Sequence, residues 1–434
     1  MSNKLRFAAI VMCAVIALSV VGLVACNGNN PDTPDVVMFL HREDYYNPDT
    51  PDNPDKPDPA PIGTPLKVYS DKISSVYDVA MLTGPSGKTN THADWGIGGT
   101  DLGFPYYDAT NNKMMFLFGD TFSSVNKGNA GWRSNVLGVT SDFDASDGIT
   151  FDSFVCNMPG MAKQVIDSVH DTSNEGEYTS IPTGGIELNG THYVFYMAIK
   201  DWQYNTWNVN YCNVAKSTDG KNFVKMNNLY WLNSSAKNSR AEANVMSTLG
   251  VSKADAAGHV APAFMQIFPY IYGDYVYMFG LPSGRSGGVK LARVLKADIE
   301  SFDKYQYYYD GNWYTGVEGL AKVKDEMDEA SYVVLPTVGE VCVSYNKYLE
   351  AHMMTYYTNN KIVFRTSKDL VKWSKAETIV TNAEFLQLYG GFTHEKYTSD
   401  DGKTVYLMLS KWYNYVDSSD PTGYNVRVLS FTLN

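Results

Sequence analysis

Residues 66–434 predict an all-β fold, a five-bladed β-propeller, on three observations. Short apolar-aromatic runs recur along the whole stretch, each entered from a turn of Asn, Asp or Gly. Turns of one type return at a steady interval: Asp147, Asp219, Asp298 and Asp369 are 72, 79 and 71 residues apart. About 370 residues divided by a period near 75 give five units of four strands, the signature of a propeller. The rival architecture, a β-sandwich with an appended domain, does not account for that interval.

The chain begins with an address. Lys4 and Arg6 precede an apolar run over 7–24, which ends in Leu23-Val24-Ala25-Cys26. A basic start, an apolar middle and small residues at the cut describe a secretory signal over residues 1–25. Leu-x-Ala followed by Cys resembles the bacterial lipobox, which implies lipidation at Cys26. A transmembrane anchor is the alternative, since the run is nearly long enough to span a bilayer. Residues 26–65 read as a flexible tether: half of the 18 prolines fall there, among repeated aspartates, in a composition that cannot build a core. The expected location is the bacterial cell envelope, lipid-anchored, facing the periplasm or the cell surface, with the propeller a monomer.

The blades follow in order. The second strand of each is read at 114–119, 193–198, 275–280, 348–356 and 404–409. The third is read at 135–140, 211–215, 289–294, 362–366 and 426–431. The fifth unit stops at Asn434 directly after its third strand. Its outer strand must therefore come from the start of the domain, within 68–82, closing the ring. Helices are expected only in insertions, over 236–249, 253–257 and 320–329.

Two aspartates stand out within this frame. Asp101 lies in Gly99-Thr100-Asp101-Leu102-Gly103 and Asp120 in Phe118-Gly119-Asp120-Thr121-Phe122. They flank a hairpin whose turn is Asp108-Ala109-Thr110-Asn111-Asn112, so both fall at its open end. Strands about 4.8 Å apart would bring the two carboxylates within roughly 5–9 Å. Glycoside hydrolysis uses a carboxylate pair at such a separation. Taken singly, each could merely cap a turn beside glycine.

In a propeller, the loops entering the inner strands and leaving the second strands gather on one face. The equivalent positions are Thr183 and Trp202 in blade two, Gln266 and Arg285 in blade three, and Glu340 in blade four. Blade five supplies Tyr389, Trp412 and Tyr413, with His394 a few residues into its inner strand. Trp202, Arg285, Glu340, Tyr389, His394, Trp412 and Tyr413 are the expected substrate-binding residues. Aromatic rings stack on the C–H faces of sugars, and Arg and carboxylates bond hydroxyls.

The paired motifs Gly-Thr-Asp-Leu-Gly and Leu-Phe-Gly-Asp-Thr-Phe, with Ile181-Pro182-Thr183-Gly184-Gly185 and Tyr389-Gly390-Gly391, resemble a family of bacterial secreted proteins. That family was first catalogued as a domain of unknown function, and its members are now recognised as endo-D-arabinanases. The resemblance covers residues from about 70 to 434. It implies a five-bladed propeller that cuts D-arabinofuranose chains of the arabinogalactan and lipoarabinomannan type, with retention at the anomeric carbon. Asp101 and Asp120 match the family's catalytic carboxylates. Asp120 is assigned as nucleophile and Asp101 as acid/base, and the sequence accommodates the reverse equally well.

Composition narrows the alternatives. A formal net charge of −12 disfavours nucleic acid as a partner. No cofactor is expected: the seven histidines form no paired metal motif, although a structural cation in the channel is compatible with the fold. The partners are then a polysaccharide or oligosaccharide substrate and the membrane, through the lipid. A sialidase is disfavoured because Arg133, Arg285 and Arg293 form no evident triad. A non-catalytic glycan-binding lipoprotein is the main alternative function, and a protein-interaction platform a third.

Overall fold

The computed structural model describes residues 62–125, 131–173, 176–203, 206–233, 239–412 and 422–434. The signal segment, the Pro/Asp-rich stretch with Cys26, and Tyr413 lie outside these residues. Five antiparallel sheets form a five-bladed β-propeller. Their inner strands are Leu102–Asp108, Thr179–Leu188, Gln266–Tyr272, Gly339–Asn346 and Leu388–Thr398. The second and third strands fall where the apolar runs place them, with one shift in blade four. There the strand opens at Ala351 because Lys347–Glu350 form the turn, Glu350 holding φ at +47°.

The ring closes as expected. Ile73–Met81 pairs with the last strand, Arg427–Leu433, and Asn434 N–H donates to Lys72 O at 3.0 Å. An ion pair between Arg427 and Asp78 ties the two ends of the domain together. Two of the four recurring aspartates work as turn ties. Asp219 Oδ1 accepts the backbone N–H groups of Lys221 and Asn222, and Asp369 Oδ1 those of Val371 and Lys372. These bonds hold Asp219 well below the usual carboxylate range.

Helices occupy the insertions, with one correction. The helix expected over 320–329 runs over Gly316–Val323. Buried Lys290 ends it by donating Nζ–H bonds to the carbonyls of Val323 and Asp325, the usual service of a cation at a helix C-terminus. Ser239–Leu249 and Lys253–Ala256 agree with the sequence reading, and a short helix at Thr91–Trp95 was not foreseen.

Inner strands position the site. Gly184, Gly185, Gly390 and Gly391 allow them to crowd the axis: a Cβ at Gly391 would lie 2.5 Å from Ile362, and one at Gly185 2.7 Å from Tyr106. Across the axis Phe104 of blade one meets Phe392 of blade five, ring centroids 3.7 Å apart, and Phe268 of blade three at 6.0 Å. Phe104 and Phe268 form part of the lining of a cavity at the mouth.

Candidate active site

The open end of the first hairpin is a distorted ladder. Leu102 pairs with Phe118, whereas Gly99 pairs with Phe122, so the register slips by one residue between them. Gly119 and Asp120 together oppose Asp101, a β-bulge of the kind that re-aims side chains beside active sites. The flanking hydroxyls of Thr100 and Thr121 touch at 2.7 Å. Counting on from that contact sets Asp101 opposite Asp120, where facing residues have Cβ atoms about 4.5–5.5 Å apart.

Both carboxylates line a cavity of about 600 Å³. Its wall is mixed: Ile181, Met197, Leu281 and Val341 are apolar, while Thr183, Gln266, Arg285, Glu340 and Tyr389 are polar. Trp202 and Trp412 stand at the rim, 47% and 45% exposed. Of the residues expected from sequence, Trp202, Arg285, Glu340, Tyr389 and Trp412 therefore converge with the two aspartates. His394 is not among the lining residues. It sits five residues beyond Tyr389 on the same strand, where its Nδ1 accepts the Lys396 N–H at 3.1 Å. Burial pushes its pKa down to about 3.

Asp101 accepts two phenolic hydroxyls, from Tyr389 on Oδ2 and from Tyr424. Burial first, and then the charge of Asp101, raise both tyrosines far above their ordinary range, so each remains a donor. Asp120 accepts Trp132 Nε1–H and Thr179 Oγ1–H, each at 2.8 Å and both on Oδ1.

Beyond Tyr389 lies an ion pair. Arg285 Nε is 2.9 Å from both oxygens of Glu340, and Nη2 is 2.5 Å from Oε1. The guanidinium is packed among the rings of Trp207, Tyr389 and Tyr357, at 4.4, 5.0 and 5.1 Å. Burial raises the pKa of Glu340, with the charge of Asp101 acting the same way and Arg285 opposing. Burial also works against the Arg285 charge, but the Glu340 carboxylate outweighs it and the guanidinium stays protonated. Close approach requires Gly339, where a Cβ would stand 2.7 Å from Arg285 Cγ.

Sequence reasoning missed Trp207, Tyr424, Trp132 and Thr179. Trp207 was hidden by an underestimated hairpin: the third strand of blade two runs over Thr206–Ser217, pairing Trp207 with Trp202 above the mouth. That extension was readable from the two tryptophans five residues apart. Tyr424 and Trp132 come from loops outside the repeat and carry no such signal. Among the described residues, no three His, Cys, Asp or Glu side chains converge as metal ligands.

A family model described as "Domain of unknown function (DUF4185)" matches residues 86–429. The chain is 27% identical over 351 residues to Notoamide biosynthesis cluster protein J' of Aspergillus versicolor, covering 78% of this chain and 87% of that protein. Among solved structures, a Bacteroides ovatus protein provisionally named a hydrolase shares the fold with a TM-score of 0.54 at 12% identity, over 82% of this chain and 90% of that one. A family 117 glycoside hydrolase from Zobellia galactanivorans aligns with a TM-score of 0.46 at 11% identity, over 84% and 91%.

Proposed function

The chain belongs to the DUF4185 family, and from that premise we propose that it is a glycoside hydrolase of furanosidic polysaccharide, endo-acting on D-arabinan with retention. One observation carries the reading: two carboxylates face each other across a β-bulge in a half-apolar cavity rimmed by exposed tryptophans. Facing positions on paired strands permit the short carboxyl separation that a retaining pair uses.

Each carboxyl accepts two donors, Asp101 from Tyr389 and Tyr424 and Asp120 from Trp132 and Thr179, so the roles are assigned on burial. Asp120 is the more enclosed, 7% exposed, and a buried carboxyl holds its proton more readily. That makes Asp120 the acid/base and Asp101 the nucleophile, the reverse of the sequence assignment. Asp101 attacks the anomeric carbon, the glycosidic C–O bond breaks, and the departing oxygen takes its electron pair and a proton from Asp120. Water then attacks the glycosyl ester, Asp120 accepts the water proton, and the ester C–O electrons return to Asp101. In this reading Cys26 bears the lipid and residues 27–65 hold the propeller off the membrane.

The test is digestion. Wild-type protein should cut D-arabinan to oligosaccharides, leaving L-arabinan and common plant polysaccharides intact, and Asp101→Asn and Asp120→Asn should each abolish cutting while unfolding like wild type. Full activity in either variant sinks the mechanism. A second reading, chemistry on a small molecule, draws on the cavity volume, which is in the range of small-molecule sites, and on the name of the Aspergillus relative. Inertness towards every polysaccharide would favour it, whereas binding of D-arabinan without cleavage would favour a glycan-capture role.

A further inference from the structure

Asp120 is held from outside the cavity. Trp132 donates its indole N–H to Asp120 Oδ1, yet Trp132 is not among the residues lining the cavity. An indole nitrogen can only donate, so this contact persists whichever protonation state the carboxyl adopts. The ring cannot drift, because it lies face to face on His170 with centroids 4.0 Å apart and planes 16° from parallel. Tyr178 packs against it at 5.5 Å.

His170 is itself fixed. Its Nε2 is 2.8 Å from Ser134 Oγ and 3.2 Å from Gln164 Oε1, and that same oxygen accepts the Ser134 N–H at 2.7 Å. Its backbone stands at φ +50°, a left-handed conformation uncommon outside glycine. Burial lowers its pKa, with Glu177 opposing, so the ring under the indole is neutral.

We propose that Trp132, clamped by His170, is a positioning residue that sets the orientation of the Asp120 carboxyl. The proposal rests on the reading of Asp120 as a catalytic carboxylate. Such outer supports commonly decide whether a reactive group stands at its working geometry. A displacement of about 1 Å costs on the order of a hundredfold in rate.

The test compares wild type with Trp132→Phe, which keeps a ring on His170 and removes the donor. In protein carrying ¹³Cγ-labelled aspartate, with Asp120→Asn identifying the resonance, the Asp120 titration should move to higher pH. The groups facing Asp120 across the cavity are Asp101, Tyr389, Tyr424 and the Arg285–Glu340 pair. Arg133, His170 and Glu177 lie on the Trp132 side, and the variant retains all of these. On D-arabinan, kcat should fall roughly ten- to a hundredfold with KM unchanged. An unshifted titration overturns the proposal whatever the substrate. Loss of the glycosidase reading would instead show as no turnover by wild type, leaving the titration to decide the positioning role. Should Trp132→Phe fail to fold, His170→Ala keeps the indole N–H but removes its support. It should move the titration the same way by less, and no movement there likewise overturns the proposal.

Discussion

Gly119→Ala is the sharpest test of the carboxylate geometry. Gly119 sits in the bulge opposite Asp101, and its backbone is outside the left-handed region, so alanine is conformationally permitted. The obstacle is steric: a Cβ there would stand far inside contact distance of Asp101 Oδ1 and 3.0 Å from Leu102 Cδ1. Leu102 is buried and its carbonyl is bonded by Ser410 Oγ at 3.0 Å. The carboxylate, on a rotatable bond, gives way first. Restoring an ordinary contact needs a displacement of about 1 Å, and misplacement on that scale costs about a hundredfold, or ~2.7 kcal/mol of barrier. Overpacking itself should cost about 1–3 kcal/mol of stability. Steady-state kinetics on D-arabinan alongside urea unfolding separates the two effects. A structure of the variant should show Asp101 turned away from Asp120. A folded variant with wild-type kcat would refute the claim that the pair works at one fixed separation.

Other outcomes follow from the same site. Arg285→Ala strips the partner from a Glu340 side chain that is 6% exposed, which should destabilise the fold by about 3–5 kcal/mol; a loss under about 1 kcal/mol in urea unfolding would contradict a buried ion pair. Trp202→Ala and Trp412→Ala should each raise KM for arabinan oligosaccharides about tenfold, with kcat and stability nearly unchanged, because both rings are half exposed at the rim; a change confined to kcat would argue against a stacking role. His394 is half-buried, and loss of solvent around the ring pushes its pKa down to about 3, below the unfolded value of about 6.5. The unfolded chain binds a proton that the folded chain refuses, so this residue's contribution is complete above pH ~6.5 and is lost as pH falls towards 3. His394→Gln should flatten that part of the stability curve measured at successive pH values, and an unchanged slope would count against it.

What could be read beforehand was whatever repeats. Period and turn chemistry located five blades, and the truncated fifth unit required Ile73–Met81 as its closing strand. Asp101 and Asp120 were legible because each stands beside glycine at a strand end, and common loop position then gathered Trp202, Arg285, Glu340, Tyr389 and Trp412 around them. His394 was misplaced relative to the cavity because a strand rises over 3 Å per residue, and five residues carry it well below the mouth. Trp132 and Tyr424 escaped because they reach the aspartates from irregular loops. Their positions depend on long-range contacts such as the His170 stack, and no local spacing encodes those.

Backbone strain shows how firmly the mouth is set. Of the eleven non-glycine residues with positive φ among the described residues, five are Asn or Asp turn residues suited to it, such as Asn112, Asn189, Asn359 and Asp310. His170, Glu350 and Leu370 lie away from the mouth. The other three, Leu102, Glu340 and Gln387, stand at +64°, +38° and +61° at the entries to the inner strands of blades one, four and five. Each is held by a neighbour: Leu102 O by Ser410 of blade five, the Glu340 carboxylate by Arg285 of blade three, and Gln387 O by Trp412 N–H of its own hairpin at 3.1 Å. Such conformations cost of order 1–3 kcal/mol apiece and persist only where surroundings over-determine them. Leu102 and Glu340 line the cavity themselves, and Gln387 stands two residues before Tyr389, which does. The fold therefore spends stability beside the two carboxylates, which under the proposed reading is the arrangement expected of a preorganised catalytic pair rather than of an adaptable binding surface.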